Sequence, residues 1–385
     1  MASTGRALPP FASLAWRTPM ISTTETFEPD YAIPPGEILA EYLGALGMSQ
    51  RDLAARTGLT PKTINEIVQA KAPITAETAI KLERVVGRPA HFWQNLESLY
   101  QEARLRARDH AHLDRDLDWL RRVPVKAMVK LGWIAEADSN AGQLDLVLKF
   151  FGVSSVERWD AVWNGSGTAF RQSKRFDTHP EAVSAWLRRG EIEAQAIACR
   201  PFDKPGFRTV LHEVRPLTRE APEDFRSVLV ERCAAVGVAV VFVPELPKTG
   251  VSGATRWLAT DKALVQLSLR YKSDDQLWFT FFHEAGHILL HGKRDVFIED
   301  DDMEDAKEQE ANRFAADHLI PPSALRSLLA QGRPTLVQIE AFAQEIDIAP
   351  GIVVGRLQRE GVLEHRVGDA LKRRLCWTHL SNTAP

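Results

Sequence analysis

Apolar positions keep a helical period over most of this chain and change to a strand-like period around Gly237. From Pro34 to about Tyr100 the helices are short and closely spaced. "PPGEILAEYLGALGMS" opens a first helix at Pro35-Gly36 and puts Ile38, Leu39, Tyr42, Leu43 and Leu46 on one stripe. Ser49 reads as an N-cap for "QRDLAART", and Gly58 ends that helix. Thr60 caps the next helix, "TPKTINEIVQ", with Pro61 at its first position. Thr75 caps a fourth helix in "ITAETAIKLERVVG", and "PAHFWQNLESLYQEA" supplies a fifth.

The mixed-sign run "RLRARDHAHLDRDLDWLRR" continues helically and reads as a solvated connector face. Residues 123 to 230 keep a 3.6-type spacing in "AGQLDLVLKFFGV", "PEAVSAWLRRGEIEAQAI" and "EDFRSVLVERCAAVGV" without visible chemistry, as in a packing module. "VAVVFVPEL", "GATRWLA" and "KALVQLSLRY" are short β-rich runs between turn residues, so a small sheet is expected. The last of these could be an exposed edge where a substrate segment adds as a strand, or an internal strand. The overall expectation is a mainly α chain with a small β-sheet (α+β). Its segments are an extension at 1–30, a five-helix bundle at 31–103 and a helical spacer at 104–230. A core domain at 231–330 and a C-terminal helical subdomain at 331–385 complete it.

Length supports that division, since 385 residues exceed one hydrophobic core. The 44% hydrophobic and 26% charged content is that of a globular chain, and the net charge of -3 gives no general attraction to nucleic acid. Three scattered cysteines with no C-x-x-C argue against a disulfide framework or a thiolate metal site and favour the reducing cytoplasm. No run of 18 apolar residues exists to span a membrane. The first 24 residues hold no acid but read as an extension rather than a targeting peptide, with Met20 as an alternative start.

Two short helices around Gly58 make a helix-turn-helix candidate; spacing alone serves a DNA reader and a protein-docking bundle equally. "PPGEIL", "MSQRDLAARTGLTPKTINEIVQAKAPIT" and "AIKLERVVGRPAHFWQNLESLY" resemble the Cro/C1-type helix-turn-helix of HigA-like antidote proteins. That resemblance implies an operator in double-stranded DNA. The helix from Pro61 would enter the major groove, with Thr60, Lys62, Thr63 and Asn65 at its reading end and Gln50 on phosphate. Charge over residues 31 to 110 is nearly balanced, so a homodimer is expected.

The densest chemistry is "FTFFHEAGHILLHG". On a helix His283 and His287 share one face, while Glu284 projects beside them, where it can hold a water without being a ligand. A catalytic zinc needs a third protein ligand. His291 lies about 12 Å from His283 along a straight helix, too far for bonds of about 2 Å, and reads as a helix-end residue. Downstream, "DAKEQEANRFAADHLIPP" offers Glu308 and Glu310, which point about 200° apart, so one alone can face the metal. Glu308 shares a stripe with the small Ala311 and Ala315 and with Asn312, which can bond the outer nitrogen of a zinc histidine. Glu308 is therefore the expected ligand. Tyr271 and His318 are conceivable oxyanion donors and neither is assigned. The acidic loop Glu299 to Asp305 lacks the ligand spacing and turn glycine of an EF-hand.

"SGATRWLATDKALVQLSLRYKSDDQLWFTFFHEAGHILLHG", "EQEANRFAADHLIP" and "IAPGIVVGRLQREG" together resemble the ImmA/IrrE metallo-endopeptidases. The resemblance implies a zincin-like fold, Zn2+ held by His283, His287 and Glu308, and Glu284 as base. It also implies cleavage of a regulatory protein such as a repressor or toxin-system component. The target could equally be a copy of this chain. The "TLVQIEAFAQEIDIAPGIVVGRLQREG" segment is expected to pack beside the core rather than read DNA. The alternative reading is a non-proteolytic HigA-like antidote with a structural or vestigial metal site. A scaffold whose bundle only binds protein is a third.

Overall fold

The computed structural model describes residues 33–113, 116–165, 179–292, 297–298, 306–330 and 332–379. The chain divides into two compact units between His112 and Leu113. The extension expected at 1–30 and the acidic loop Glu299 to Asp305 lie outside the described residues.

The first unit holds α1 (Pro35–Ala45), α2 (Gln50–Thr57), α3 (Pro61–Val68), α4 (Ala76–Val86) and α5 (Ala90–Leu113). Local chemistry sets their ends. Ser49 and Asp52 form a reciprocal capping box, and Gly58 turns the chain at φ +69. Thr60 and Thr75 each accept a backbone N–H three residues on. Leu39, Leu53, Ile64, Leu82 and Trp93 are fully buried at the centre. Leu46 departs from the expected stripe: α1 stops one residue before it, and Leu46 caps the helix in an exposed position. A Cβ on Gly36 would meet the Ile67 carbonyl oxygen at 2.0 Å, so only glycine lets α1 lie on the end of α3.

The second unit begins with α6 (Leu117–Leu120), α7 (Val125–Lys130), α8 (Asn140–Phe151) and α9 (Val156–Trp159). Next come α10 (Pro180–Ala196), α11 (Lys204–Val214) and α12 (Pro222–Ala234). The sheet follows with β1 (Val238–Phe242), β2 (Gly253–Ala259) and β3 (Lys262–Leu267). After it come α13 (Asp274–Leu290), β4 (Phe297–Ile298), α14 (Ala306–Leu319), α15 (Pro322–Leu329), α16 (Leu336–Glu345) and α17 (Pro350–Arg359). The strand order is β1-β3-β2-β4, with β1 parallel to β3 and the other pairs antiparallel.

Both sheet faces are covered, which explains the unbroken apolar run of β1. Val238, Val240, Val265 and Leu267 belong to one core with Phe207, Phe225, Trp278 and Phe281. Ala239, Val241 and Leu264 belong to another with Leu144, Phe151 and Trp186. The helices between 117 and 196, expected as a spacer and packing region, pack on the far face of the sheet. Of the two readings left open for "KALVQLSLRY", the structure selects the internal strand. β3 pairs on both sides, so its hydrogen-bonding edges are filled by β1 and β2.

Candidate metal centre

α13 carries the H-E-x-x-H stretch through the middle of the second unit. Its Ser273 N-cap is followed by Asp274 and Asp275 in the first turn, where acids suit the helix dipole. His283, Glu284 and His287 are almost wholly buried, as is Glu308 on α14. The two helices can approach because small residues face each other. A Cβ on Gly286 would already lie 3.1 Å from the Phe314 ring and 3.3 Å from the Ala311 Cα, and Ala311 and Ala315 are fully buried.

The approach brings three donors together. His283 Nε2 lies 3.0 Å from His287 Nε2 and 3.0 Å from Glu308 Oε2, and His287 Nε2 lies 3.3 Å from Glu308 Oε1. Atoms bonded at about 2 Å to one tetrahedral ion stand roughly this far apart. Two imidazole nitrogens and one carboxylate are also the donor set of a catalytic zinc with a position left for water. Among the described residues, this is the His/Cys/Asp/Glu group whose ligand atoms converge closely enough for a metal.

Outer contacts fix which imidazole nitrogen faces the centre. His283 Nδ1 is 3.0 Å from Asn312 Oδ1, an acceptor, so Nδ1 carries the proton and Nε2 keeps its lone pair. His287 Nδ1 is 2.9 Å from His291 Nδ1, and His291 Nε2 is 3.2 Å from Glu310 Oε2. One proton assignment satisfies the whole chain: His287 Nδ1–H donates to His291, and His291 Nε2–H donates to Glu310. His291 is the helix C-cap residue, as expected, but it also contacts the outer nitrogen of His287, a contact sequence reasoning missed.

The electrostatics suit a cation. Burial alone would raise the Glu308 carboxyl, yet its contacts with His283 and His287 bring it down to about 2. Burial pushes His287 down to about 4, keeping the imidazole neutral at physiological pH.

Glu284 is held against the sheet. The Thr255 hydroxyl donates to the Glu284 carbonyl at 3.2 Å, and a Cβ on Gly253 would lie 2.7 Å from Glu284 Oε1. His283, Glu308 and Asn312 line a cavity of about 800 Å³ walled by α13, α14, α17 and the chain after it. Tyr271 lines that cavity. His318 does not; it packs among Phe282, Phe314 and His212.

In the first unit, Thr60, Lys62 and Asn65 are exposed near the start of α3, while Thr63 and Gln50 are half-buried. Thr60 and Thr63 are bonded to each other in the cap, and Asn65 accepts from Gln69 at 3.3 Å.

Residues 39–93 match the family described as Helix-turn-helix, and residues 236–357 match the IrrE N-terminal-like domain. The chain belongs to the helix-turn-helix regulators and carries an IrrE-like peptidase domain. Two relatives match about 70 residues of the chain. Virulence-associated protein I of Dichelobacter nodosus is 46% identical over 70 residues, covering 18% of this chain and 65% of that protein. The uncharacterized HTH-type transcriptional regulator YddM of Escherichia coli is 36% identical over 69 residues, covering 18% of this chain and 73% of that one. The chain thus spans about two thirds of the length of the first relative. Among solved structures, a HigA-family addiction module antidote protein from Coxiella burnetii is 32% identical, covering 22% of this chain and 94% of that one, with a TM-score of 0.21. The Pseudomonas aeruginosa antitoxin HigA with higBA promoter is 34% identical, with 22% and 95% coverage and a TM-score of 0.21.

Proposed function

We propose that this protein is a DNA-binding transcriptional regulator whose second unit is a zinc-dependent endopeptidase acting on a regulatory protein. The observation that carries the peptidase half is the convergence of His283, His287 and Glu308, with Glu284 next to His283 on the same helix and with His283 and Glu308 lining a cavity. A structural zinc is closed on all four sides by protein, whereas here three side chains converge and two of them, His283 and Glu308, line a cavity.

Zinc held by these three residues would polarise a peptide carbonyl and lower the pKa of water. The chain's own residues do the rest. Glu284, aimed from the same helix and braced by β2, accepts the proton of the attacking water and passes it to the departing amine. Asn312, and His291 with Glu310, keep the two imidazoles in the tautomer that leaves Nε2 free to bind. The cavity supplies room for a peptide segment.

The DNA-binding half rests on α2 and α3, joined at Gly58, with the exposed Lys62 and Asn65 near the start of the second helix. Residues 39–93 match the helix-turn-helix family, and one relative is named an HTH-type transcriptional regulator. We place Lys62 and Asn65 on base edges in the major groove and Gln50 on phosphate, with Thr60 and Thr63 holding the helix start. A homodimer doubles a contact surface whose charge is otherwise modest.

Elemental analysis combined with incubation against the products of neighbouring genes tests the proposal. About one zinc per chain and a defined cut in one such product are expected. Zinc-free protein purified under metal-replete conditions would contradict it.

A further inference from the structure

The cavity above the metal centre carries an excess of unspent positive charge. Four cationic side chains line it, Arg313, Arg356, Arg359 and Lys372, against the carboxylates of Asp275, Glu308 and Glu360. The carboxylates are committed. Asp275 lies 2.9 Å from Lys372, Glu360 lies 2.6 Å from Arg356, and Glu308 faces the two histidines. Among the described residues neither Arg313 nor Arg359 has a carboxylate within salt-bridge distance, and both are exposed. Arg359 is nevertheless fixed in place. Its guanidinium lies 4.6 Å from the centre of the Phe279 ring, and that ring is 6.3 Å from the His283 ring. One aromatic ring thus separates an unmatched arginine from a ligand of the centre. A dication held by one carboxylate and two neutral imidazoles would add net positive charge to the same cavity. This surplus runs against the -3 of the whole chain. Between the charges the wall is apolar, with Ile320 and Ile352.

We infer that this cavity selects acidic peptide segments: a substrate carboxylate docks on Arg359 and Arg313 while an apolar neighbour lies along Ile320 and Ile352. The inference rests on the peptidase reading and names its substrate class. Arginine suits the task, since its planar fork meets a carboxylate with two parallel bonds. Charge focused by the cavity walls also draws an acidic segment in from solution, an effect that salt weakens.

The test uses the zinc-loaded full chain. A random peptide mixture is digested, and residue frequencies around each cut are read by mass spectrometry. Short fluorescent peptides differing by one Glu, Gln or Lys at the enriched position are then titrated against the Glu284→Gln variant by anisotropy, which reads binding without cleavage. Acidic residues should be enriched near the cuts. The Glu peptide should bind about tenfold more tightly than the Lys peptide at low salt, with the difference shrinking as salt rises. Arg359→Glu should reverse that preference and Arg313→Glu should reduce it, both at unchanged zinc content. Enrichment of basic or neutral residues, or a preference that survives both arginine substitutions, would overturn the inference and leave the peptidase reading standing. A zinc-loaded wild type that cuts nothing in the mixture would remove both.

Discussion

His291 shows how a residue can be excluded from one role and still matter to the centre. It is too far along the helix to join His283 on a metal, and the structure places it on the outer nitrogen of His287, with Glu310 behind it. His283→Ala should abolish zinc retention, because it removes one of three ligands. His291→Ala removes only the acceptor that fixes the His287 tautomer, so zinc should still bind, about 10- to 100-fold more weakly. Competition with a chromogenic chelator measures both. Equal affinity in wild type and His291→Ala would show that the contact chain does not act on the metal. At this scale the sequence was legible where geometry decides, as in Glu308 over Glu310. It was not legible where two side chains from different helices must meet, because helical spacing fixes direction but not how closely α13 and α14 approach.

Helix α13 is set in place by glycines at its contacts with two other elements. Gly253 on β2 lies against Glu284, where a Cβ would fall 2.7 Å from Oε1 and 2.5 Å from the Thr280 methyl. Gly253→Ala should therefore displace the carboxylate, slowing cleavage while zinc content stays near one per chain. Unchanged cleavage would mean that the position of Glu284 is not set by β2. Gly351 and Gly355, one turn apart on α17, admit the two aspartates at the start of α13: a Cβ would meet Asp274 Oδ1 at 2.9 Å and Asp275 Oδ2 at 2.6 Å. This is why "APGIVVGR" packs beside the core, as the family resemblance implied, and its glycines show where.

The same contact creates an acid-dependent stability. Burial, and then the neighbouring Asp275, raise the Asp274 carboxyl from 3.8 to about 6. A folded pKa above the unfolded one means this group's contribution is full below pH 3.8 and is lost as pH rises through about 6. Asp274→Asn keeps an oxygen for the N–H groups of Asp275 and Arg373 without the charge. At pH 8 it should be more stable than wild type by at most about 3 kcal/mol, with the gap closing near pH 4. Urea unfolding of the zinc-free protein, followed by tryptophan fluorescence, measures the gap; a constant difference at all pH values would contradict it.

At the scale of the whole molecule, the two units show how far the sequence carried. Three helices of the first, α2, α3 and α4, were legible because each has its own cap or stop: Ser49, Gly58, Thr60, Thr75 and Gly87. The helices before the sheet were legible as helices but not as half of its core. Their role follows from strands buried on both faces, which periodicity alone does not assign to partners. β4 was missed because two residues carry no period. For the first unit, Asn65→Ala or Lys62→Ala should cost about 1–3 kcal/mol of operator affinity and relax preference at one base position, read by selection on random duplexes. A first unit that enriches no sequence at low salt is a protein-docking bundle.

The central claim, that this regulator cuts a protein with its own zinc centre, turns on Glu284. Glu284→Gln is nearly isosteric and leaves the three expected ligands in place, so fold, zinc and DNA binding should persist while cleavage slows by roughly 10²–10⁴. The direct measurement is the decay of the natural target, followed by blot in cells carrying wild type or Glu284→Gln. The account predicts that the target is lost with wild type and persists with the variant. Identical decay in both would contradict the peptidase reading and leave a helix-turn-helix repressor with an inert metal site.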